Sequence, residues 1–173
     1  MMVSVNLSAA QLGRDGIVDE VNGTLGASGL DPAMLTLELT EMVLMHDVGP
    51  TSSRLERLKA IGVRIAVDDF GTGCSSLAYL RQFPIDVLKI DKSFVLAIAN
   101  SPDCFTIVHT LVRLGELLGL EIIAEGVEND EQRTRLEAER VETAQGFFFT
   151  RPLSVEAVDR LLGERGNNNV LVR

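Results

Sequence analysis

Six short apolar segments recur along this chain, each followed by a helix-like stretch and each finishing on a polar side chain. No other feature constrains the fold as much. Val3–Leu7, Leu35–Glu41, Val63–Val67, Ile85–Ile90, Glu121–Gly126 and Val141–Gln145 read as strands: they are short, rich in β-branched residues and bounded by turn signals. Between them lie helical patterns. Ser8 caps a helix that breaks at Gly13 and resumes through Ile17, Val18, Val21 and Leu25. A second runs from about Thr51 to Ile61 and stops at Gly62, and a short one runs from Ser75 to Gln82 before Pro84. A long one, Pro102–Leu118, carries Ile107, Leu111, Leu114 and Leu118 at helical spacing. Asn129 caps a charged helix reaching about Arg140, and a last helix opens at Ser154. Strand and helix alternating through short connections imply a parallel sheet with helices outside it. Residues 1–163 are expected to form one domain and residues 164–173, with three consecutive asparagines, a flexible tail.

The polar endings fall at matching places. Asn6, Glu38, Asp68 with Asp69, Lys89, Glu125 and Gln145 lie at or near the carboxyl ends of the six segments. In a parallel barrel those ends converge on one face, where active sites are assembled from different strands. Asp68-Asp69 is the sharpest signal, since two adjacent carboxylates repel each other and hold water tightly unless a cation neutralises them. The bland alternative is a solvated Asp-Asp turn, or polar loops on an ordinary α/β domain. Recurrence on six successive segments favours a site. Asn6, Glu38, Asp68, Asp69 and Glu125 offer hard oxygen donors without sulfur or imidazole, a set suited to Mg²⁺ or Mn²⁺. Asp68 is placed to bridge two such ions, and Lys89 would add a fixed positive charge beside them. These residues support metal-assisted hydrolysis of a phosphate ester, or equally a metal-stabilised enolate reaction.

Charge narrows the partners. Sixteen basic against 25 acidic residues leave a net charge of −9, which argues against binding DNA or an anionic membrane surface. Two cysteines, Cys74 and Cys104, without an export signal point to a reduced, cytoplasmic protein. No apolar run approaches the roughly 18 residues that span a bilayer. Of the two histidines, His109 is expected to pack on a helix and His46 to sit in a loop.

Asn6-Leu7-Ser8, Glu38-Leu39-Thr40-Glu41, Asp68-Asp69-Phe70-Gly71-Thr72-Gly73, Lys89-Ile90-Asp91, Glu125-Gly126-Val127-Glu128 and Gln145-Gly146-Phe147 resemble, in order, the motifs of EAL domains. These are bacterial phosphodiesterases that open cyclic di-GMP to linear pGpG. The resemblance implies a TIM-like (β/α)8 barrel in which Asn6, Glu38 and Asp68 ligate one of two Mg²⁺ or Mn²⁺ ions, and Asp68, Asp69 and Glu125 the other. It further implies that Lys89 holds or polarises the attacking water and that Gln145 and Glu128 order substrate or water. Glu41 would steady the Phe70–Gly73 loop so that Asp69 faces its metal. Family members often dimerise through this loop and the helix after it, which makes the Phe70–Phe83 region the expected homodimer contact. Cys74 stands there where the family usually has an aromatic. An upstream sensory or GGDEF-type domain is the expected regulator.

One motif is absent. The chain contains no Glu-Ala-Leu, whose glutamate is a family ligand of the first metal. Six strands of the eight are accounted for, with the first two missing, so the chain reads as an amino-terminally truncated EAL domain with open sheet edges. Three readings follow: a phosphodiesterase of impaired activity, a non-catalytic cyclic di-GMP receptor or dimerisation module, and a fragment without independent function.

Overall fold

The computed structural model describes residues 2–73 and 80–165. Its six strands form one curled, wholly parallel sheet in sequence order: β1 (Val3–Asn6), β2 (Leu35–Thr40), β3 (Arg64–Phe70), β4 (Val87–Ile90), β5 (Glu121–Ala124) and β6 (Thr143–Ala144). Parallel neighbours need a crossover, and helices supply it. Helices α1 (Ala9–Leu12) and α2 (Ile17–Ser28) link β1 to β2, and α3 (Glu41–His46) and α4 (Val48–Ile61) link β2 to β3. Helices α5 (Lys92–Ala97) and α6 (Pro102–Leu118) join β4 to β5, α7 (Asp130–Ala138) joins β5 to β6, and α8 (Val155–Arg165) follows.

Local chemistry explains the helix starts. Ser8 and Asn129 form capping boxes with Gln11 and Gln132, and Asp91 and Ser101 accept backbone N–H groups at the starts of α5 and α6. Several boundaries differ from the sequence expectation. Strand β2 stops at Thr40, and Glu41 begins a helix that also takes in His46, which was expected in a loop. Helix α4 starts at Val48, β4 at Val87, and β6 keeps only two residues. Helix α5 was not anticipated. The helix expected over Ser75–Gln82 falls largely outside the described residues, as does Cys74.

Alternation along the strands sorts side chains onto two faces. Leu37, Leu39, Ile65, Val67, Leu88, Ile90, Ile122 and Ala124 point towards the helices and are buried with Leu55, Leu58, Val108, Leu111 and Leu136. Close packing on this side has a local cause at Gly115: a Cβ there would lie 2.3 Å from Ile122 Cδ1, so only glycine lets α6 settle so near β5. The other face carries the polar set. At its amino end Arg64 pairs with Glu121 at 2.5 Å, and the Thr143 hydroxyl donates to Glu121. At its carboxyl end sit the residues of the candidate site.

Asp86 ties the amino edge together. It accepts two hydrogen bonds from Lys59 Nζ at the end of α4 (2.6 and 2.8 Å) and one from the Ile65 backbone N–H (2.8 Å). Asp86→Ala leaves that N–H and the ammonium without their acceptor, and is expected to cost about 1–3 kcal/mol. Urea unfolding would show a lower midpoint at unchanged slope; an unmoved midpoint would contradict this role.

Candidate metal and active site

The carboxyl ends of β2, β3 and β4 and the residue after β5 bring one ammonium among three carboxylates. Lys89 Nζ lies 2.5 Å from Glu38 Oε2, 2.5 Å from Glu125 Oε1 and 3.1 Å from Asp68 Oδ1. Lys89 is 3% exposed and Glu38 8%, so this charge cluster is largely out of water. Burial alone pulls the Lys89 ammonium down, but its hydrogen bonds to Glu125 and Glu38 and the charges of Glu125 and Asp68 together outweigh that, and its pKa is raised. Burial raises the Glu125 carboxyl; Lys89 pulls it back, while Asp68 and Glu38 push it up again.

The adjacent acids reach one pocket because β3 is irregular. Val67 pairs with Leu88 but Phe70 pairs with Ile90, so Asp68 and Asp69 together stand opposite the single residue Lys89. Two residues facing one is a β-bulge, and it cancels the alternation that would send neighbouring side chains to opposite faces. Asp69 takes a left-handed φ of 54°, a conformation that aspartate tolerates better than most side chains, and its N–H donates to Asp68 Oδ1 at 3.0 Å. The sequence expectation ended the strand at Val67; it instead continues through both acids to Phe70. As a result Asp68, Asp69 and Glu125 each offer an oxygen within 4.8 Å of the others.

Asp91 completes the arrangement, and sequence reasoning gave it no role. It accepts from the Ser93 N–H at 2.9 Å and from the Ser93 hydroxyl, which caps α5, and it shares a side-chain hydrogen bond with Asp69. Burial, then the Asp68 and Asp91 charges, raise the Asp69 carboxyl. Burial also lifts Asp91, but the Ser93 hydrogen bonds and the one from Asp69 outweigh it and hold Asp91 low. The hydrogen bond between them thus raises Asp69 and lowers Asp91. The available signal was the cap pattern Asp91-Lys92-Ser93, an acid two residues before a serine at a helix start.

The other expected residues take distinct places. Gln145 Nε2 donates to Glu125 Oε1 at 2.7 Å, joining the cluster directly. Asn6 pairs in register with Glu38, is exposed, and lines with it a separate cavity of about 410 Å³. Glu128 is exposed on the wall of a groove of about 800 Å³ that Glu125 and Gln145 also line. Glu41 is buried at the start of α3 against the glycine loop: a Cβ on Gly73 would sit 3.1 Å from Glu41 Oε1. His109 lies on α6 as expected, but is half exposed and paired with Glu139 at 2.6 Å. Four carboxylates (Glu38, Asp68, Asp69 and Glu125) thus face one ammonium. An all-oxygen, charge-deficient set of this kind fits hard divalent cations.

Comparison with known proteins follows the same lines. The family model "EAL domain" matches residues 1–152. Cyclic di-GMP phosphodiesterase NbdA of Pseudomonas aeruginosa is 43% identical over 162 residues, which cover 94% of this chain and 21% of that protein. MucR of the same species, a bifunctional diguanylate cyclase/cyclic di-GMP phosphodiesterase, is 44% identical over 89% of this chain and 22% of its own length. The solved MucR phosphodiesterase in complex with cyclic di-GMP superposes with a TM-score of 0.86 at 43% identity, over 91% of this chain and 64% of that one. Klebsiella pneumoniae BlrP1 in a manganese and cyclic di-GMP complex gives a TM-score of 0.82 at 33% identity, over 87% of this chain and 39% of that one. The chain spans about a fifth of the length of these two curated relatives.

The raised carboxyls set a pH dependence. A divalent ion must displace protons from Asp69 and Glu125, so affinity for Mg²⁺ or Mn²⁺ is expected to rise with pH and to level off once both are ionised. Calorimetry in buffers of different ionisation heat would register the released protons; pH-independent binding would refute it. Lys89→Met strands Glu38 and Glu125 without their cation, and in chelator is expected to cost about 3 kcal/mol in urea unfolding. Added Mg²⁺ should recover part of that loss.

Proposed function

The chain belongs to the EAL domain family, and on that premise we propose that it opens cyclic di-GMP to linear pGpG in bacterial second-messenger signalling. The convergence of Asp68, Asp69 and Glu125 oxygens beside Lys89 carries this reading. Asn6, Glu38 and Asp68 would hold one divalent ion and Asp68, Asp69 and Glu125 the second, with Mg²⁺ or Mn²⁺ as the metals. When bound, such ions neutralise phosphoryl oxygens and make water a better nucleophile at neutral pH.

The chain's own residues do the rest. Lys89 is kept protonated by its carboxylate neighbours, so it acts as a hydrogen-bond donor to the attacking water or a phosphoryl oxygen and not as the base. Gln145 fixes the Glu125 carboxylate through its amide. Asp91, anchored on α5, orients Asp69. Glu41 steadies the Phe70–Gly73 loop against which it packs, and Glu128 meets substrate at the groove wall.

The 173 residues contain no Glu-Ala-Leu, so this polypeptide taken alone brings one carboxylate fewer to the Asn6–Glu38 metal than the family motif supplies. That absence supports slow turnover by the isolated chain, and it is also what favours the alternative reading of a non-catalytic cyclic di-GMP receptor or dimerisation module. No helix among the described residues is long and apolar enough to cross a membrane. Our reading places the domain, residues 1–163, in the cytoplasm. It would work as a homodimer through the Phe70–Phe83 region, under a sensory or GGDEF-type domain in the same protein; MucR, named as both cyclase and phosphodiesterase, supports that last point.

Chromatography of cyclic di-GMP incubated with the full-length protein and Mg²⁺ or Mn²⁺ tests the reaction. Release of pGpG should fall by about a hundredfold or more in Glu38→Gln, Asp68→Asn and Lys89→Ala. Turnover untouched by those changes would defeat the proposed site. Turnover by the isolated 173 residues equal to that of the full-length protein would refute the expected impairment.

A further inference from the structure

Residues 125–129 leave β5 with an acid near each end, and the two acids are held in different ways. Glu125 is fixed twice over: its N–H donates to the Ile90 carbonyl at 3.1 Å, and Lys89 and Gln145 donate to its carboxylate. Val127 is buried, with its N–H on the Gln145 carbonyl and its own carbonyl accepting from the Phe148 N–H. Glu128 has no such anchor on its side chain. Its carboxylate is exposed and meets no partner among the described residues, so only the backbone beneath it fixes where the charge stands.

Gln132 on α7 holds that backbone. Its Oε1 accepts from the Glu128 N–H at 2.8 Å and from the Asn129 N–H at 3.3 Å. Its Nε2 donates to the Leu96 carbonyl at 3.3 Å, in the last turn of α5, where carbonyls lack helical partners. At the start of α5, a Cβ on Gly126 would come 2.5 Å from Lys92 Cβ. The segment and α5 are therefore braced at two points, Lys92 against Gly126 and Gln132 between Glu128 and Leu96. Helix capping alone does not call for this. Gln11 fills the same place in the capping box of α1 and is exposed, whereas Gln132 is 4% exposed and makes two bonds beyond its box. Burying a long amide costs it rotamer freedom, and glutamine is mostly found exposed.

We infer that Gln132 is a positioning residue for the reaction: it fixes the Glu128 main chain and so aims the Glu128 carboxylate at the groove. It lies outside the residues that line the groove and acts only through its neighbours. Without its oxygen the Glu128 N–H loses its acceptor and the segment can turn the carboxylate aside. A misplacement of about 1 Å can cost up to about a hundredfold in rate. The inference deepens the phosphodiesterase reading and rests on it for what Glu128 does, while the tie between Gln132 and Glu128 rests on the bonds themselves.

Steady-state kinetics of the full-length protein with Mg²⁺ and cyclic di-GMP would test it. Gln132→Met keeps the side-chain length without the amide, and should lower kcat/KM about tenfold. Gln132→Glu keeps the acceptor oxygens and the capping box, and should restore most of that loss. In a Glu128→Ala background, adding Gln132→Met should change kcat/KM little, because the two residues act as one unit. Asn129→Ala removes the cap of α7 but not the Glu128 tie; it should lower the urea midpoint and spare kcat/KM. Hydrogen exchange should quicken at the Glu128 amide in Gln132→Met and not in Asn129→Ala. The inference is overturned if Gln132→Met is silent, if it costs as much without Glu128 as with it, if Gln132→Glu restores nothing, or if Asn129→Ala costs as much. A parent protein that hydrolyses no cyclic di-GMP would sink the proposed reaction instead. Affinity for cyclic di-GMP in Ca²⁺ then replaces kcat/KM in the same comparisons and decides the role of Gln132 by the same criteria.

Discussion

Everything at the carboxyl face depends on one ammonium group held among carboxylates from three other strand ends. Lys89 cannot be buried on β4 without counter-charge, and Glu38, Asp68 and Glu125 cannot crowd together without a cation. The cluster is thus a mutual requirement that spans β2, β3, β4 and the end of β5. Its charges do not balance internally. Four acids against one ammonium leave a surplus of negative charge, and burial together with the Asp68 and Asp91 charges raises the Asp69 carboxyl. The same surplus is what attracts hard cations.

The scaffold places this surplus through division of labour between the two faces of the sheet. The helix side is filled with leucine, isoleucine and valine and supplies the burial that holds the strands in register. The inner side is left to polar residues, with the Arg64–Glu121 pair at one end and the acids at the other. A parallel sheet in sequence order aims every carboxyl end the same way, so one residue per strand suffices to build a site from distant parts of the chain.

Most of this was legible in the residues. The six strands appeared as short apolar runs, and Asn6, Glu38, Asp68, Lys89, Glu125 and Gln145 as their polar endings, because period-two patterning and turn residues are local signals. What escaped was non-local or depended on backbone detail. Asp91 was given no role because its partner Asp69 lies on another strand. The bulge at Asp68-Asp69 left no mark in a run of side chains; it exists only as a count of residues against β4. Glu41 was read as the end of a strand because its alternation continued that of Leu37 and Leu39, yet tertiary packing against the glycine loop turned it into a helix start. The groove residues after β6 carry no periodicity at all, and only the fold brings Phe147 and Arg151 into one groove with Lys92.

The bulge has a consequence for how such a site can be lost. Since Asp68 and Asp69 share a pocket through one extra residue in β3, their juxtaposition is stored in chain length as well as in chemistry. Only these two acids lie between Val67 and Phe70, so deleting either would restore regular pairing against β4 and leave a single acid in the pocket. Inherited drift could therefore disarm a domain of this kind while every other motif still matched. The bulge and the pair of acids are thus one feature, kept or lost together.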